Sequence, residues 1–396
     1  MKIAIFISKF YPEFSGVSRR IIRLYKEIYK KKKIYVDVYS GGENIKFRKN
    51  YKYKFFNIRK LNDTLKIKVK IIKIFYEIIS FIEIFKILKK KKYNFIHIVG
   101  SNNVTASAIN ASCLLEIPKI IELVTKRSSP YQQIPIIKFF YKPTFLYNSL
   151  IVSINKDILN NFYKKNIKNK IWIRDNPIDK KFIYPNKYKF NRKKYGFSKN
   201  DIIICQVAQF YESKNQIFLI DVMRLIPKKF KLILAGPLLN TTNNSNKDTK
   251  YFKKIKEKIK LYNLKDRVTL IPRLVNTAEI LSISNLSLMP NFNEGFGNPL
   301  VESLGLGIPV IANKDEKIFC KWIKESSNGH LIKLNSKSWA KKIKNFNFNY
   351  SKIKISRDIH KKLNYEKYLN NYFKIFENFS KINKKTKINI NKIINN

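Results

Sequence analysis

Short runs rich in isoleucine and valine alternate with longer stretches of helical periodicity along most of the chain. This alternation is typical of parallel βαβ units, in which a helix follows each strand and covers the sheet. The runs predict strands at 2–8, 35–39, 95–99, 119–124, 150–154, 170–174, 201–207, 230–235, 267–271, 286–289 and 310–312. We therefore predict an α/β protein built on doubly wound parallel sheets.

A break near residue 180 divides the predicted elements into two sets. Asn176-Pro177 and Tyr184-Pro185 interrupt the periodic pattern, and asparagine and proline favour turns. The chain of 396 residues is also longer than one typical domain. We expect two Rossmann-like domains, at 1–180 and 181–356, that face each other across a cleft, followed by a low-complexity basic tail at 380–396. In such sheets, ligands bind at the carboxyl ends of the strands.

The chain carries 81 Lys and Arg residues against 27 Asp and Glu residues, a formal net charge of +54. The excess is spread along the sequence and accompanies many Ile, Asn and Tyr residues, as AT-rich codons would produce. A positive surface that attracts an anionic membrane is the functional alternative. Nucleic-acid binding is disfavoured because the basic residues form no single stripe.

The cysteines and the apolar runs indicate the compartment. Cys113, Cys205 and Cys320 have neither a metal-ligand spacing nor a disulfide spacing, so we predict buried thiols in a reducing compartment. The first apolar run is too short for a signal peptide, and no run reaches the ~18–20 apolar residues of a spanning helix. We expect a cytoplasmic protein, peripheral on the inner face of the cell membrane, with 67–91 and 134–147 facing the lipid. An ordinary helix that packs within its domain is the alternative.

The sharpest motif runs from Asn293 to Glu302 and reads Asn-Glu-Gly-Phe-Gly-Asn-Pro-Leu-Val-Glu. It follows a predicted strand, and its proline marks the first turn of a helix. Two glycines let the backbone approach a ligand closely, and the helix N-terminus offers unpaired N–H groups. The motif therefore predicts a diphosphate seat, with Glu294 on the sugar side and Glu302 accepting hydrogen bonds from ribose hydroxyls.

This stretch resembles the E-x7-E motif of the family-four retaining glycosyltransferases of GT-B fold (glycosyltransferase group 1), and Gly307-Ile308-Pro309 continues the resemblance. The resemblance implies that Glu294 contacts the donor sugar and supports its departure, while Glu302 holds the ribose. It implies that phosphate and sugar are bound by Gly295, Phe296, Gly297, Asn298 and Pro299. It also implies that helices at about 357–377 cross back to the first domain. A tight turn whose glycines serve packing is the alternative.

The segment after the strand at 201–207 resembles the family's G-R-L…K-G/N element. Lys214 matches its lysine, which neutralises the diphosphate leaving group in the family. Gln209 stands where the family often has arginine, and Ala208 replaces a glycine. Because glutamine carries no charge, neutralisation would depend more heavily on Lys214. An ordinary surface lysine is the alternative.

Three further positions match the family less fully. Gly16 lies in a segment that resembles the first loop, where the family usually has two glycines near the donor phosphate. His97 resembles the first histidine of an H-x-H strand end, which implies a place on the acceptor or sugar side; a core histidine is the alternative. Arg273 lies in the segment whose family counterpart contacts the base.

The motifs favour a metal-independent transferase. No Asp-x-Asp occurs in the chain, so we expect no metal and no cofactor besides the nucleotide-sugar substrate. The resemblance implies retaining transfer to a glycan or lipid-linked acceptor in cell-surface polysaccharide or lipopolysaccharide synthesis. A nucleotide-sugar epimerase of the same fold is the alternative enzyme, and a basic nucleic-acid-binding protein is the alternative from another class.

Overall fold

The structure, a computed structural model, describes residues 1–7, 16–32, 34, 36–40, 54–57, 70–100, 103–124, 149–160, 171–185, 191–238, 245–273 and 275–379. The chain divides into two compact units, Met1–Asp175 with Glu366–Asn396, and Asn176–Tyr365. Residues 357–365 therefore belong to the second unit, and the return to the first unit begins at Glu366. The predicted segment at 134–147 and the predicted tail at 380–396 lie outside the described residues.

In its described residues, the first unit contains a parallel sheet of seven strands in the order β3-β2-β1-β4-β5-β6-β7. The strands are β1 (Ile3–Ile7), β2 (Val36–Ser40), β3 (Lys54–Asn57), β4 (Phe95–Val99), β5 (Lys119–Leu123), β6 (Ser149–Ser153) and β7 (Ile171–Ile173). The helices before residue 175 are α1 (Gly16–Lys32), α2 (Lys70–Lys91), α3 (Asn103–Leu114) and α4 (Lys156–Asn160).

The described residues of the second unit form a parallel sheet of six strands in the order β10-β9-β8-β11-β12-β13. The strands are β8 (Ile202–Val207), β9 (Phe230–Ala235), β10 (Val268–Ile271), β11 (Leu286–Met289), β12 (Val310–Asn313) and β13 (Gly329–Ile332). The helices are α5 (Gln216–Arg224), α6 (Ser245–Leu261), α7 (Thr277–Ile283), α8 (Asn298–Gly305), α9 (Lys317–Cys320), α10 (Ser336–Lys344) and α11 (Lys352–Lys362). The last helix, α12 (Tyr365–Phe379), returns to the first unit.

The predicted α/β class with two doubly wound sheets is confirmed. The central strands are mostly apolar because helices cover both faces of a parallel sheet, and all five residues of β1 and of β4, including His97, are buried. Two described strands were not predicted. Strand β3 is only four residues long and begins with a lysine, and β13 begins with Gly329-His330, so neither forms an apolar run.

The strand order places a topological switch point in the second sheet. From β8 the chain proceeds to β9 and β10 on one side, and it then returns to β11, β12 and β13 on the other. The loops that follow β8 and β11 therefore diverge from neighbouring strands and leave a crevice at their carboxyl ends. Ligands of doubly wound sheets bind at this position.

The thiol prediction is correct for two of the three cysteines. Cys113 and Cys205 are buried, and burial raises the pKa of the Cys205 thiol to about 11. Cys320 is exposed, so the prediction was wrong there. It ends the one-turn helix α9, where the preceding Phe319 is the residue that turns inward. Within the described residues, no helix is both long enough and apolar enough to cross a membrane.

Candidate functional site

The loop that follows β8 carries Lys214. It ends in one turn of 3₁₀ helix, and Asn215, in the left-handed conformation with φ of 55°, immediately precedes α5. The first part of the loop packs against the end of β9, where Gly236 meets Ala208. A Cβ on Gly236 would lie only 2.0 Å from the Ala208 carbonyl oxygen. This close backbone approach fixes where the loop leaves the sheet.

The loop between β11 and α8 contains the predicted diphosphate seat. Gly297 immediately precedes α8 and has a φ of 78°, which favours glycine. A Cβ there would also lie 2.9 Å from a ring carbon of Phe319. Glycine has no side chain that could cap α8, and the N–H groups of Leu300 and Val301 donate to the Gly297 carbonyl oxygen at 3.0 and 3.3 Å. In the first turn, an anion would therefore meet the Asn298 N–H and the positive end of the helix dipole. Pro299 lies in that first turn, as predicted.

The two loops meet at the switch point through backbone and side chains. The Phe292 N–H donates to the Ser213 carbonyl oxygen at 3.0 Å. Beside this bond, the Lys214 ammonium pairs with Oε1 of Glu294. The Lys214 side chain is 26% exposed and the Glu294 side chain 12% exposed, so the pair is accessible to a ligand. The structure thus brings together the two residues predicted to be catalytic.

Glu316 was not identified from the sequence. Its carboxylate accepts the backbone N–H of Asn293 at 2.6 Å and that of Glu294 at 3.1 Å. Asn293 itself has a φ of 61°, a conformation that asparagine tolerates better than most residues. Glu316 therefore fixes the backbone that presents Glu294. No short motif marks it, because the contact joins segments 22 and 23 residues apart.

Three buried amides under the two loops were also missed. Gln206 is in β8, Asn313 ends β12, and Asn291 lies two residues beyond β11. All three are at most 2% exposed. A polar residue at the end of an apolar strand is a signal that sequence analysis can use. Here Gln206 interrupts the run from Ile202 to Val207.

The other predicted donor residues of the second unit differ in exposure and in their contacts. Gln209 is half-buried in the loop after β8, and its carbonyl oxygen accepts a hydrogen bond from the Gln216 side chain at 2.9 Å. Glu302 is half-buried on α8. Arg273 is exposed just beyond β10, the edge strand, which is two strands away from β8. The side-chain oxygen Oδ1 of Asn298 accepts a hydrogen bond from the side-chain amide of Asn176 at 3.3 Å.

The remaining predicted residues, Gly16 and His97, belong to the first unit. Gly16 is exposed and begins α1, and the loop before it lies outside the described residues. His97 is fully buried in β4, where its Nδ1 lies 2.8 Å from the Tyr25 hydroxyl and its Nε2 lies 3.4 Å from Glu122. Burial, and then the charges of two arginines, hold the pKa of His97 well below its usual value. The ring is therefore a neutral core group in this structure.

The described residues contain no group of three or more His, Cys, Asp or Glu side chains that could hold a metal ion. Among the described residues, Lys214, Glu294 and Glu316 are charged groups that meet at the switch point, beside the positive end of α8. An anionic ligand at this place would meet the ammonium of Lys214 and the positive end of α8.

The sequence and the fold both match known proteins. Residues 187–357 match the family model "Glycosyl transferases group 1". The chain is 26% identical over 280 residues to the UDP-Gal:alpha-D-GlcNAc-diphosphoundecaprenol alpha-1,3-galactosyltransferase of Escherichia coli, covering 65% of this chain and 66% of that protein. It is 28% identical over 186 residues to the capsular polysaccharide biosynthesis glycosyltransferase CapH of Staphylococcus aureus, covering 46% and 50%. These matches span less than two thirds of the curated relatives.

Among solved structures, the fold is similar to that of the Anabaena protein HepE, crystallised in complex with UDP and glucose. The TM-score is 0.70 at 16% sequence identity, and the alignment covers 96% of this chain and 100% of that chain. At this identity the likeness concerns the fold: the order of strands and helices in this chain is that of a two-domain GT-B protein.

Proposed function

We propose that the chain, whose residues 187–357 match the glycosyl transferases of group 1, moves a sugar from a nucleotide-sugar donor to a glycan or lipid-linked acceptor. In this proposal the anomeric configuration of the sugar is retained and no metal ion takes part. The names of the relatives support the acceptor class. The E. coli protein is named for a diphosphoundecaprenol acceptor, and the S. aureus protein for capsular polysaccharide biosynthesis.

The observation that carries the proposal is the pair of Lys214 and Glu294 at the switch point of the second sheet. A donor diphosphate brings about two negative charges, and the N-terminus of α8 together with Lys214 can meet them. Glu294, on the same loop, is then placed to accept a hydrogen bond from the donor sugar. Glu302, on α8, is proposed to hold the ribose.

In the proposed reaction, the bond between the anomeric carbon and the diphosphate oxygen breaks, and a bond to the acceptor hydroxyl oxygen forms on the same face of the sugar. The acceptor proton leaves with the departing diphosphate. Lys214 and the α8 N–H groups stabilise the negative charge that develops on the leaving group. No residue is assigned as a covalent nucleophile.

The test is a panel of UDP-glucose, UDP-galactose, UDP-N-acetylglucosamine and GDP-mannose, incubated with the full chain in excess chelator. We expect slow release of free sugar from at least one donor, with the configuration of the first-formed product retained by NMR. A requirement for added divalent ion would refute metal independence. An epimerised nucleotide-sugar, in place of free sugar or glycoside, would identify the alternative enzyme. Failure of every donor to bind or react would refute the proposed function.

Exposed apolar and basic side chains on α2 are the basis of a second proposal, which concerns a membrane and a lipid-linked acceptor. Ile78 and Ile82 are 50% and 43% exposed, which is unusual for large apolar residues of a helix. A cavity of about 380 Å³ beside them is lined by Phe81, Ile82, Phe85, Lys86, Lys89 and Lys90. We call this group, with Ile78, the α2 surface. Apolar side chains flanked by lysines match the boundary between acyl chains and anionic headgroups, so we propose that this surface rests on an anionic membrane.

The membrane proposal is tested by sedimentation with vesicles of phosphatidylcholine alone or with anionic phosphatidylglycerol at low salt. We expect the chain to bind the anionic vesicles, and the variant Ile82→Asp with Lys89→Glu and Lys90→Glu to lose most of that binding. The control variant places Glu at Lys253 and Lys256 on α6, which changes the net charge by a similar amount. Equal loss in both variants would show a nonspecific charge effect and refute the role of the α2 surface.

A further inference from the structure

Three buried amide side chains form a connected network under the candidate site. Gln206 and Asn291 are each 1% exposed, and Asn313 is 2% exposed. The Gln206 side-chain N–H donates to Oδ1 of Asn291 at 2.9 Å, and the Asn313 side chain donates to the Asn291 carbonyl oxygen at 3.2 Å. Burying amides is costly unless they are hydrogen-bonded, so this network fixes Asn291 with little freedom. It joins three neighbouring central strands, β8, β11 and β12.

The network reaches both residues proposed to act on the donor. The Asn291 side-chain N–H donates to Oε1 of Glu294 at 2.8 Å. The Gln206 side-chain N–H also donates to the backbone carbonyl oxygen of Lys214 at 2.6 Å. The positions of Glu294 and of the Lys214 backbone are therefore set by groups that are themselves buried and held by the sheet.

The arrangement has a consequence for a bound donor. Within the described part of the chain, the two side chains that donate to the Glu294 carboxylate, Lys214 and Asn291, both contact Oε1. Oε2 is then the oxygen left to accept from a sugar hydroxyl. When a diphosphate takes the Lys214 ammonium as its partner, Asn291 is the neutral donor that still holds Glu294 in place.

We propose that Asn291 is a positioning residue, which acts through Glu294 and is held in turn by Gln206 and Asn313. The inference rests on the proposed function, since it assigns a role in donor turnover. It predicts that the Asn291 side chain matters for turnover only as long as Glu294 is present.

The test is a double-mutant cycle measured as hydrolysis of whichever UDP- or GDP-sugar of the panel the wild-type chain consumes. Asn291→Ala is expected to lower kcat by roughly 10- to 100-fold, with the KM for the donor changed by less than about 3-fold. In the Glu294→Ala background, the same substitution is expected to have an effect below about 2-fold. Multiplicative losses in the double variant would overturn the inference, because a structural role of Asn291 would not depend on Glu294.

The matched control is Asn285, which immediately precedes β11, whereas Asn291 lies two residues beyond its end. Oδ1 of Asn285 accepts the Ile203 N–H at 2.9 Å and an Arg192 N–H at 3.0 Å. Asn285→Ala should lower the melting temperature and leave kcat within about 2-fold of wild type.

If Asn291→Ala does not fold, Asn291→Ser replaces it, since serine keeps a polar group but is too short to reach Glu294. A kcat near wild type in a folded Asn291 variant would overturn the inference while leaving the proposed function intact. An inactive wild-type chain would refute the proposed function itself.

Discussion

Each unit carries a charged cluster near the carboxyl ends of its central strands, and the two clusters differ in burial and in composition. In the first unit, Glu122 on β5 pairs with Arg20 at 2.9 Å and with Arg174. These three side chains are at most 5% exposed. In the second unit, Lys214 and Glu294 form a single pair that is 26% and 12% exposed. Similar positions in similar sheets thus hold a sealed cluster and an open one.

The aromatic residues of α12 account for the difference. The Tyr368 hydroxyl accepts a hydrogen bond from Arg20 at 3.0 Å, and the Tyr372 hydroxyl accepts one from Arg174 at 3.2 Å. Both rings also lie against the Arg174 guanidinium, with its carbon 4.9 and 5.6 Å from their centroids. The first cluster therefore anchors the last helix to its sheet. Among the described residues of its own unit, no aromatic side chain is seen to cover the second cluster in this way, and its charges are partly exposed to a ligand.

The largest expected effect follows from breaking the sealed cluster. Glu122→Gln would leave two buried arginines without their carboxylate, and we expect the free energy of unfolding to fall by about 3–5 kcal/mol. Urea denaturation measures this loss. The control is Glu257→Gln on α6, whose pair with Lys253 is 61% and 77% exposed, with an expected loss below about 0.5 kcal/mol.

A different result for Glu122→Gln would change the comparison. If its stability stayed within about 1 kcal/mol of wild type while sugar transfer was lost, the first cluster would be functional, like the second. Limited proteolysis of the variant at the end of α12 would show directly whether that helix has detached.

The next effect concerns turnover. Lys214→Ala is expected to lower kcat by about 100-fold, because the leaving diphosphate loses its cation, with only a small change in stability. The matched control is Lys258→Ala, since Lys258 is also 26% exposed and pairs with Asp221 at 2.7 Å. Initial rates of donor hydrolysis measure both variants. Equal rates for the two would show that Lys214 is an ordinary surface lysine.

The open cluster was easier to predict from the sequence than the sealed one, for a physical reason. A diphosphate seat needs glycines, a helix N-terminus and acidic residues within a few positions, so Glu294 and Gly297 fall in one short motif. The partners of Glu122 come from α1, from the segment after β7 and from α12, and a single sequence does not pair segments so far apart. The same limit hid Glu316, and it hid the role of Asn291 because its buried partners Gln206 and Asn313 lie 85 and 22 residues away. The strands were predicted where most residues of a run are apolar, even when one polar residue interrupts it, and were missed at the four-residue strands β3 and β13, which begin with a lysine and with Gly329-His330.

The third prediction tests the fixed backbone of the open cluster. Gly297→Ala would place a Cβ at a φ of 78° and 2.9 Å from the Phe319 ring, and we expect a cost of about 2 kcal/mol in the free energy of unfolding. Because Gly297 immediately precedes α8, donor affinity should fall as well. Titration with UDP measures the affinity, and thermal unfolding measures the stability.

The control is Gly196→Ala, where the φ is similarly positive at 76° but no atom lies within 4 Å of the added Cβ. An effect of the same size at Gly196 would show that backbone conformation alone, and not the contact with Phe319, causes the loss.

The smallest expected effect is a pH dependence that belongs to the sealed cluster alone. Burial, with Arg20 and Arg174 nearby, holds the pKa of His97 well below 6.5, whereas the unfolded chain takes up a proton near pH 6.5. Protonation therefore favours the unfolded state, and the free energy of unfolding should decrease between pH 7.5 and pH 5.5 because of this residue, by on the order of 1 kcal/mol. The loss should begin near pH 6.5 and continue as the pH falls toward the lowered pKa of the folded state.

Denaturation of wild type and His97→Gln at both pH values isolates this contribution, since all other groups are shared. Identical pH dependence in the two proteins would mean that the folded cluster accepts a proton on His97, and that the pocket is not sealed from water as its burial indicates.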